Sequence, residues 1–183
     1  MAAGALALVV GPSGAGKDTL LVAAREALRG NDHYVFPRRV VTRTALAALE
    51  DHDTLDRDEF QKQKLRGAFA LDWEAHGLSY GLPASIDAAI AAGRVVVANA
   101  SRAVIPAAAE KDQGLHVLMI TARPEVLGER LAARGRETAA DIAARLKREG
   151  AALPAGIVPT MVDNSETIAA GTRRFIEALE SIG

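Results

Sequence analysis

The stretch Gly11-Pro12-Ser13-Gly14-Ala15-Gly16-Lys17-Asp18-Thr19 decides the fold of this 183-residue chain. It follows the apolar run Leu6–Val10 and matches the pattern G-x-x-x-x-G-K-[ST] except at the last position, where Asp18 stands. Glycines let the backbone turn with its N–H groups around a phosphate, and the following helix adds the positive end of its dipole. Lys17 is placed to reach the β- and γ-phosphates. The stretch therefore predicts an ATP-binding phosphate loop over residues 11–19.

Asp18 is the departure from this pattern, because the residue after the lysine normally holds Mg²⁺ through a hydroxyl group. A carboxylate beside nucleotide phosphates is repelled unless a cation lies between them, and Mg²⁺ prefers oxygen ligands. In one interpretation Asp18 therefore binds Mg²⁺, directly or through water. In the other it only stabilises the helix N-terminus through the macrodipole. The sequence favours the metal role and leaves both open.

Composition excludes several classes of protein. The net charge is −1, which gives no general electrostatic case for a nucleic-acid or membrane partner. The chain has no cysteine, so it has neither a disulfide framework nor thiol chemistry. Its apolar runs stay shorter than the ~18 residues of a membrane-spanning helix. We expect a cytoplasmic enzyme with small-molecule partners, and its oligomeric state is left open.

Apolar runs alternate with helical patterns along the chain, which predicts an α/β fold with a parallel sheet flanked by helices. We expect a single domain over residues 1–183, interrupted from about 38 to 82 by a small acceptor-binding insertion. Tyr34–Thr42 is predicted as one strand in which Pro37 implies an edge position or a bend, and residues 45–56 as a loop. Pro83 is predicted to be the first residue of a helix.

The chain resembles guanylate kinases over nearly its whole length. The resemblance rests on the phosphate loop and on a set of shorter matches, namely Thr42-Arg43, Phe69–Trp73, His76–Gly81, the arginines Arg130, Arg134 and Arg145, and Asn164. It implies a P-loop kinase with a helical lid over about residues 134–146. It also implies that Asn164 lies at the adenine region of the ATP site.

The guanine-reading groups of that family are altered here. The family's L-D-I-D appears as Val97-Ala98-Asn99-Ala100, so the carboxylate that accepts from guanine is missing. Asp72 stands in place of the glutamate before the tryptophan, and the second arginine of T-R-x-P-R is absent. Sites built to hydrogen-bond a base lose roughly 10⁴-fold when the partners vanish. Guanylate is therefore not the expected acceptor.

These changes resemble a smaller family, the ribose 1,5-bisphosphate phosphokinases. The shared segments are the Gly-Lys-Asp loop, Arg38–Arg43, Glu50–Asp53, Trp73–Pro83 and Val97–Arg102. The resemblance implies an ATP- and Mg²⁺-dependent enzyme that converts ribose 1,5-bisphosphate to 5-phosphoribosyl 1-diphosphate. A guanylate-type nucleotide kinase and a non-catalytic nucleotide-binding module remain as alternatives.

Moving a phosphoryl group onto a phosphate is mainly a matter of positioning and charge neutralisation. Lys17 is the predicted donor-side cation. Arg130 and Arg134 are four residues apart and share a helix face, and Arg145 follows on the next predicted helix. We predict that these arginines act in catalysis, although a solvated basic face is the alternative.

The predicted acceptor site is a second group of polar residues. Arg39 and Arg43 would face the same way along a strand, and Arg43 is the preferred phosphate contact. Arg102 follows the carboxyl end of a parallel strand and could meet the second phosphate, with a surface arginine at the start of a helix as the alternative. Tyr80 offers a hydroxyl group to a phosphate or sugar, with a half-buried aromatic as the alternative. Asp72 is included through the family resemblance.

Overall fold

A five-stranded parallel sheet carries the phosphate loop. The structure is a computed structural model that describes residues 4–43, 52–111, 114–133 and 153–182. The strands of this sheet are β1 (Ala5–Val10), β2 (Tyr34–Val35), β7 (Val95–Asn99), β8 (Leu115–Thr121) and β9 (Thr160–Asp163). They lie in the order β2-β7-β1-β8-β9 and pair in parallel throughout. All six residues of β1 are buried, because helices cover this central strand on both faces.

The described helices are α1 (Lys17–Ala27), α2 (Arg57–Leu65), α3 (Ser85–Ala91), α4 (Ile105–Lys111), α5 (Pro124–Ala133) and α6 (Ile168–Glu180), with a 3₁₀ turn at Arg102–Val104. Two apolar cores form on opposite faces of the sheet. On one face, Leu20 of α1 and Phe175 of α6 pack in the same core as Val9. On the other, Ile86 and Ile105 pack in the same core as Leu8. Because side chains alternate along β1, this strand contributes residues to both cores.

A second, four-stranded sheet interrupts the alternation of strands and helices. Its strands are β3 (Arg39–Val41), β4 (His52–Thr54), β5 (Phe69–Ala75) and β6 (Leu78–Pro83), in the order β4-β3-β6-β5. β5 and β6 form an antiparallel hairpin. Its two-residue turn has φ of 53° at His76 and 72° at Gly77, the positive values that a type I′ turn requires.

The predicted single strand Tyr34–Thr42 is wrong, because the chain forms β2 and β3 in different sheets. Pro37 lies between them and has no N–H group to donate to a strand ladder, so the break falls there. Pro83 was likewise predicted to start a helix. It instead ends β6, paired with Phe69, and α3 begins at Ser85. Part of the predicted loop 45–56 forms β4.

The predicted fold class is confirmed by the parallel sheet with helices on both faces. The strands of the second sheet fall between residues 39 and 83, and the predicted insertion covers nearly the same range, 38–82. The predicted lid, 134–146, lies outside the described residues. None of the helices in the described ranges is both long enough and apolar enough to cross a membrane.

Phe175→Ala tests the packing of α6 on the sheet. The side chain is 0% exposed, so its removal leaves a cavity and should lower the free energy of unfolding by about 3–5 kcal/mol. Ile168→Ala in the same helix is the control, because Ile168 is 59% exposed and should change stability by about 0.5 kcal/mol or less. Urea unfolding measures both. Equal effects of the two substitutions would contradict this packing.

Candidate active site

The phosphate loop leaves β1 with backbone conformations that favour glycine. Gly11 has φ of 150°, and a Cβ atom there would lie 2.2 Å from the carbonyl oxygen of Ile120. Gly16 has φ of 87° and forms the N-cap of α1. The loop therefore packs its backbone directly against β8 at its start and enters α1 in the left-handed region at its end.

Lys17 folds back over the start of the loop. Its Nζ donates to the carbonyl oxygen of Gly11 at 2.7 Å and to that of Pro12 at 3.0 Å. Within the loop, the N–H group of Ala15 donates to the carbonyl oxygen of Pro12 at 3.2 Å. The ammonium group is thus held against the first two residues of the loop.

Asp18 lies in the first turn of α1, with its carboxylate directed at the end of β7. Its Oδ1 accepts a hydrogen bond from Asn99 Nδ2 at 2.5 Å, and Arg39 Nη2 lies 3.9 Å away. Side-chain oxygens of this kind suit Mg²⁺. The Asp18 side chain is 59% exposed, so its carboxylate fits a Mg²⁺ ion that would arrive with a nucleotide. The described residues contain no group of three or more candidate metal ligands.

Two predicted site residues hold the outer side of the loop. Asn164 is 4% exposed, and its Nδ2 donates to the carbonyl oxygen of Ala15 at 2.7 Å. Arg130 Nη2 donates to the carbonyl oxygen of Asn164 at 2.9 Å. Its Nη1 lies 3.4 Å and 3.5 Å from the carbonyl oxygens of Gly14 and Ala15. Both residues therefore contact the loop backbone.

A cavity of about 610 Å³ adjoins the loop, between α1 and the segment that links β2 to β3. Asp18 and Asn99 line it together with Arg39, whose side chain is 16% exposed. The Arg39 guanidinium carbon lies 5.6 Å from the centroid of the Tyr80 ring, which is a cation–π distance. Tyr80 in turn stacks on Trp73, with centroids 5.4 Å apart and planes 7° apart. A half-buried cation therefore faces this cavity.

Other predicted acceptor residues lie elsewhere. Asp72 forms an ion pair with Lys64 of α2. Because Tyr80 pairs directly with Trp73, the neighbour of Asp72, Tyr80 and Asp72 face opposite sides of the sheet. Arg102 Nη2 lies 3.8 Å from the Met119 sulfur.

Arg43 lies beyond the end of β3, so the alternation of side chains that predicted it to face the same way as Arg39 does not reach it. Its backbone N–H group donates to the carbonyl oxygen of Val41 at 3.0 Å. Among the predicted acceptor residues in the described ranges, Arg39 is the one that lines the cavity. Arg134 and Arg145 fall outside those ranges.

Asn99 is a site residue that the sequence analysis did not single out. It is the last residue of β7, beside β1, and reaches Asp18 across 81 positions of sequence. The carboxyl ends of parallel strands are where such sheets bind ligands, and that rule could have identified it. Phe36 and Pro37 also line the cavity, and they lie at the break between β2 and β3.

No protein-family model matches the chain. It is 49% identical over 180 residues to ribose 1,5-bisphosphate phosphokinase PhnN of Brucella melitensis, covering 98% of this chain and 93% of that protein. It is 54% identical over 147 residues to the protein of the same name from Methylobacterium radiotolerans, covering 80% and 83%.

Among solved structures, guanylate kinase from Anaplasma phagocytophilum superposes with a TM-score of 0.68 at 19% identity, covering 98% of this chain and 86% of that one. This likeness shows the fold alone. The sequence identity to the phosphokinases goes further, because the match with the Brucella melitensis protein covers 98% of this chain at 49% identity. The chain belongs to the ribose 1,5-bisphosphate phosphokinase family.

Proposed function

We propose that this protein transfers the γ-phosphoryl group of ATP to ribose 1,5-bisphosphate and forms 5-phosphoribosyl 1-diphosphate and ADP. The observation that carries the proposal is a phosphate loop beside a cavity that holds Arg39. At the end of β7, Ala98 and Ala100 are buried and offer no carboxylate to a purine. A phosphorylated sugar suits this arrangement better than a nucleobase does. The relatives from Brucella melitensis and Methylobacterium radiotolerans are ribose 1,5-bisphosphate phosphokinases, which supports the same reaction.

In this reaction an oxygen of the acceptor's 1-phosphate attacks the γ-phosphorus of ATP, and the bond from that phosphorus to the bridging β–γ oxygen breaks. The acceptor phosphate is already a nucleophile, so the residues position anions and neutralise charge. Lys17 does so on the donor side, next to the loop N–H groups. We propose that Arg134 and Arg145 do so from the lid. Mg²⁺, when bound beside Asp18, would supply further neutralisation of the phosphates.

On the acceptor side we propose that Arg39 and Arg43 bind the two phosphates, since a bisphosphate needs two anion sites held apart by the sugar. Arg39 suits this role because its face lies over Tyr80 and a guanidinium can donate from its edge at the same time. Its neighbour Asp18 is 3.9 Å away, beyond hydrogen-bond distance, so an incoming phosphate can replace that contact. Contacts from Asp72, Tyr80 and Arg102 to the acceptor stay predictions, as does a cytoplasmic location.

The choice of acceptor is tested by comparing ribose 1,5-bisphosphate with GMP. We expect kcat/KM with ATP and Mg²⁺ to favour the sugar bisphosphate by about 10⁴-fold, because the pocket lacks partners for the guanine N–H groups. Product identification by ³¹P NMR checks that a diphosphate forms at C1. A ratio that favours GMP would replace the proposed acceptor with a nucleotide and leave the kinase fold standing.

Lys17→Ala tests the donor side. Removing a cation that stabilises the transferring phosphoryl group should lower kcat by about 10²–10³-fold. Lys62→Ala, at an exposed lysine of α2, is the matched control and should leave kcat unchanged. Circular dichroism of both variants checks that the fold persists. Near-normal turnover by the Lys17 variant would remove the basis of the enzyme proposal.

Arg39→Ala tests the acceptor side. Loss of a charge-assisted phosphate contact costs about 1.5–3 kcal/mol, so the KM for ribose 1,5-bisphosphate should rise roughly ten- to a hundredfold, with a much smaller change in the KM for ATP. Arg29→Ala is the control, because its side chain is 76% exposed and pairs with Glu26. If both KM values rose together, Arg39 would not be an acceptor residue.

A further inference from the structure

The outer side of the phosphate loop is held by two side chains that come from distant parts of the sequence. Arg130 lies on α5, and Asn164 follows β9. We propose that these two residues position the loop, and that Asn164 acts on the nucleotide through the loop backbone rather than by touching the adenine. The inference rests on the proposed function only in taking ATP as the donor.

Asn164 is fixed in place by its own backbone. Its N–H group donates to the carbonyl oxygen of Thr121 at 2.7 Å, and its carbonyl oxygen accepts from Arg130 at 2.9 Å. The residue is therefore tied to β8 on one side and to α5 on the other. From this anchored position its Nδ2 reaches the carbonyl oxygen of Ala15 at 2.7 Å.

This contact sets the direction of one N–H group of the loop. The carbonyl of Ala15 and the N–H group of Gly16 belong to one planar trans peptide unit and point in opposite directions. Holding the Ala15 oxygen on the outer side therefore turns the Gly16 N–H group towards the concave side, where a phosphate binds. Arg130 Nη1 lies 3.5 Å from the same oxygen and helps to hold it on the outer side of the loop.

Close packing keeps the Asn164 amide in this position. A Cβ atom on Gly16 would lie 2.5 Å from Nδ2, and one on Gly171 would lie 2.1 Å from Oδ1. Oδ1 is buried and has no hydrogen-bond partner among the described residues. Reversing the amide would place that oxygen against the oxygen of Ala15, so the network fixes the orientation. The side chain is 4% exposed and enclosed by backbone, which argues against a direct contact with a base.

The test compares the binding of inorganic tripolyphosphate and of ATP to the full chain by isothermal titration calorimetry, without any acceptor. For Asn164→Ala we expect both dissociation constants to rise by the same factor, about tenfold, because the lost contact belongs to the phosphate cradle. The ratio of ATP to GTP affinity should stay unchanged. Asn31→Ala, at an exposed asparagine, is the control and should change neither constant.

A loss of ATP affinity with unchanged tripolyphosphate affinity would show a contact with adenine and overturn the proposal. Unchanged constants for both ligands, or a fall in stoichiometry alone, would overturn it as well, because these results indicate no role or partial unfolding. Arg130→Lys is the second variant should Asn164→Ala not fold. It keeps the charge but loses the fork of donors, and we expect the same parallel loss for both anions. Turnover of ribose 1,5-bisphosphate by the unmodified protein tests the proposed function separately.

Discussion

The backbone of the phosphate loop packs directly against the rest of the protein, and the site depends on that contact. At Gly11 no side chain fits between the loop and the carbonyl of Ile120, and at Gly16 none fits beside Asn164. The loop is therefore shaped from outside by β8 and by the residue that follows β9, as well as by its own glycines. The N–H group of Gly16 therefore keeps its direction before any anion arrives, which is what preorganisation of a charged site requires.

The cavity beside the phosphate loop is arranged around a cation, whereas binding of a nucleobase requires hydrogen-bond acceptors. Arg39 faces the cavity from a stacked aromatic pair, and Asp18 faces it from the first turn of α1. The two charges partly compensate each other at 3.9 Å, so neither is left isolated in a half-buried site. Asp18 thereby connects the loop with this cavity, and Asn99 fixes the direction of its carboxylate.

The loop and the central strand could be predicted because their signals are local. The run from Leu6 to Val10 and the glycines after it need no knowledge of distant residues. The contacts of Asn164 with Ala15, and of Asn99 with Asp18, join residues 149 and 81 positions apart and depend on the order of strands in the sheet. Sequence patterns do not give that order. Pro37 predicted an edge position or a bend, but not the division of the run between two sheets, because the residues on both sides of it match one extended run.

The long separation between Ala15 and Asn164 has a consequence for folding. The loop is made at the beginning of synthesis, but one of its supports is supplied only when β9 has docked beside β8. Contacts between such distant residues form late, because the entropy of closing the intervening chain must first be overcome. An incomplete chain therefore lacks a finished nucleotide cradle. Full affinity for ATP therefore requires the completed sheet, so that affinity reports on the assembly of the whole fold.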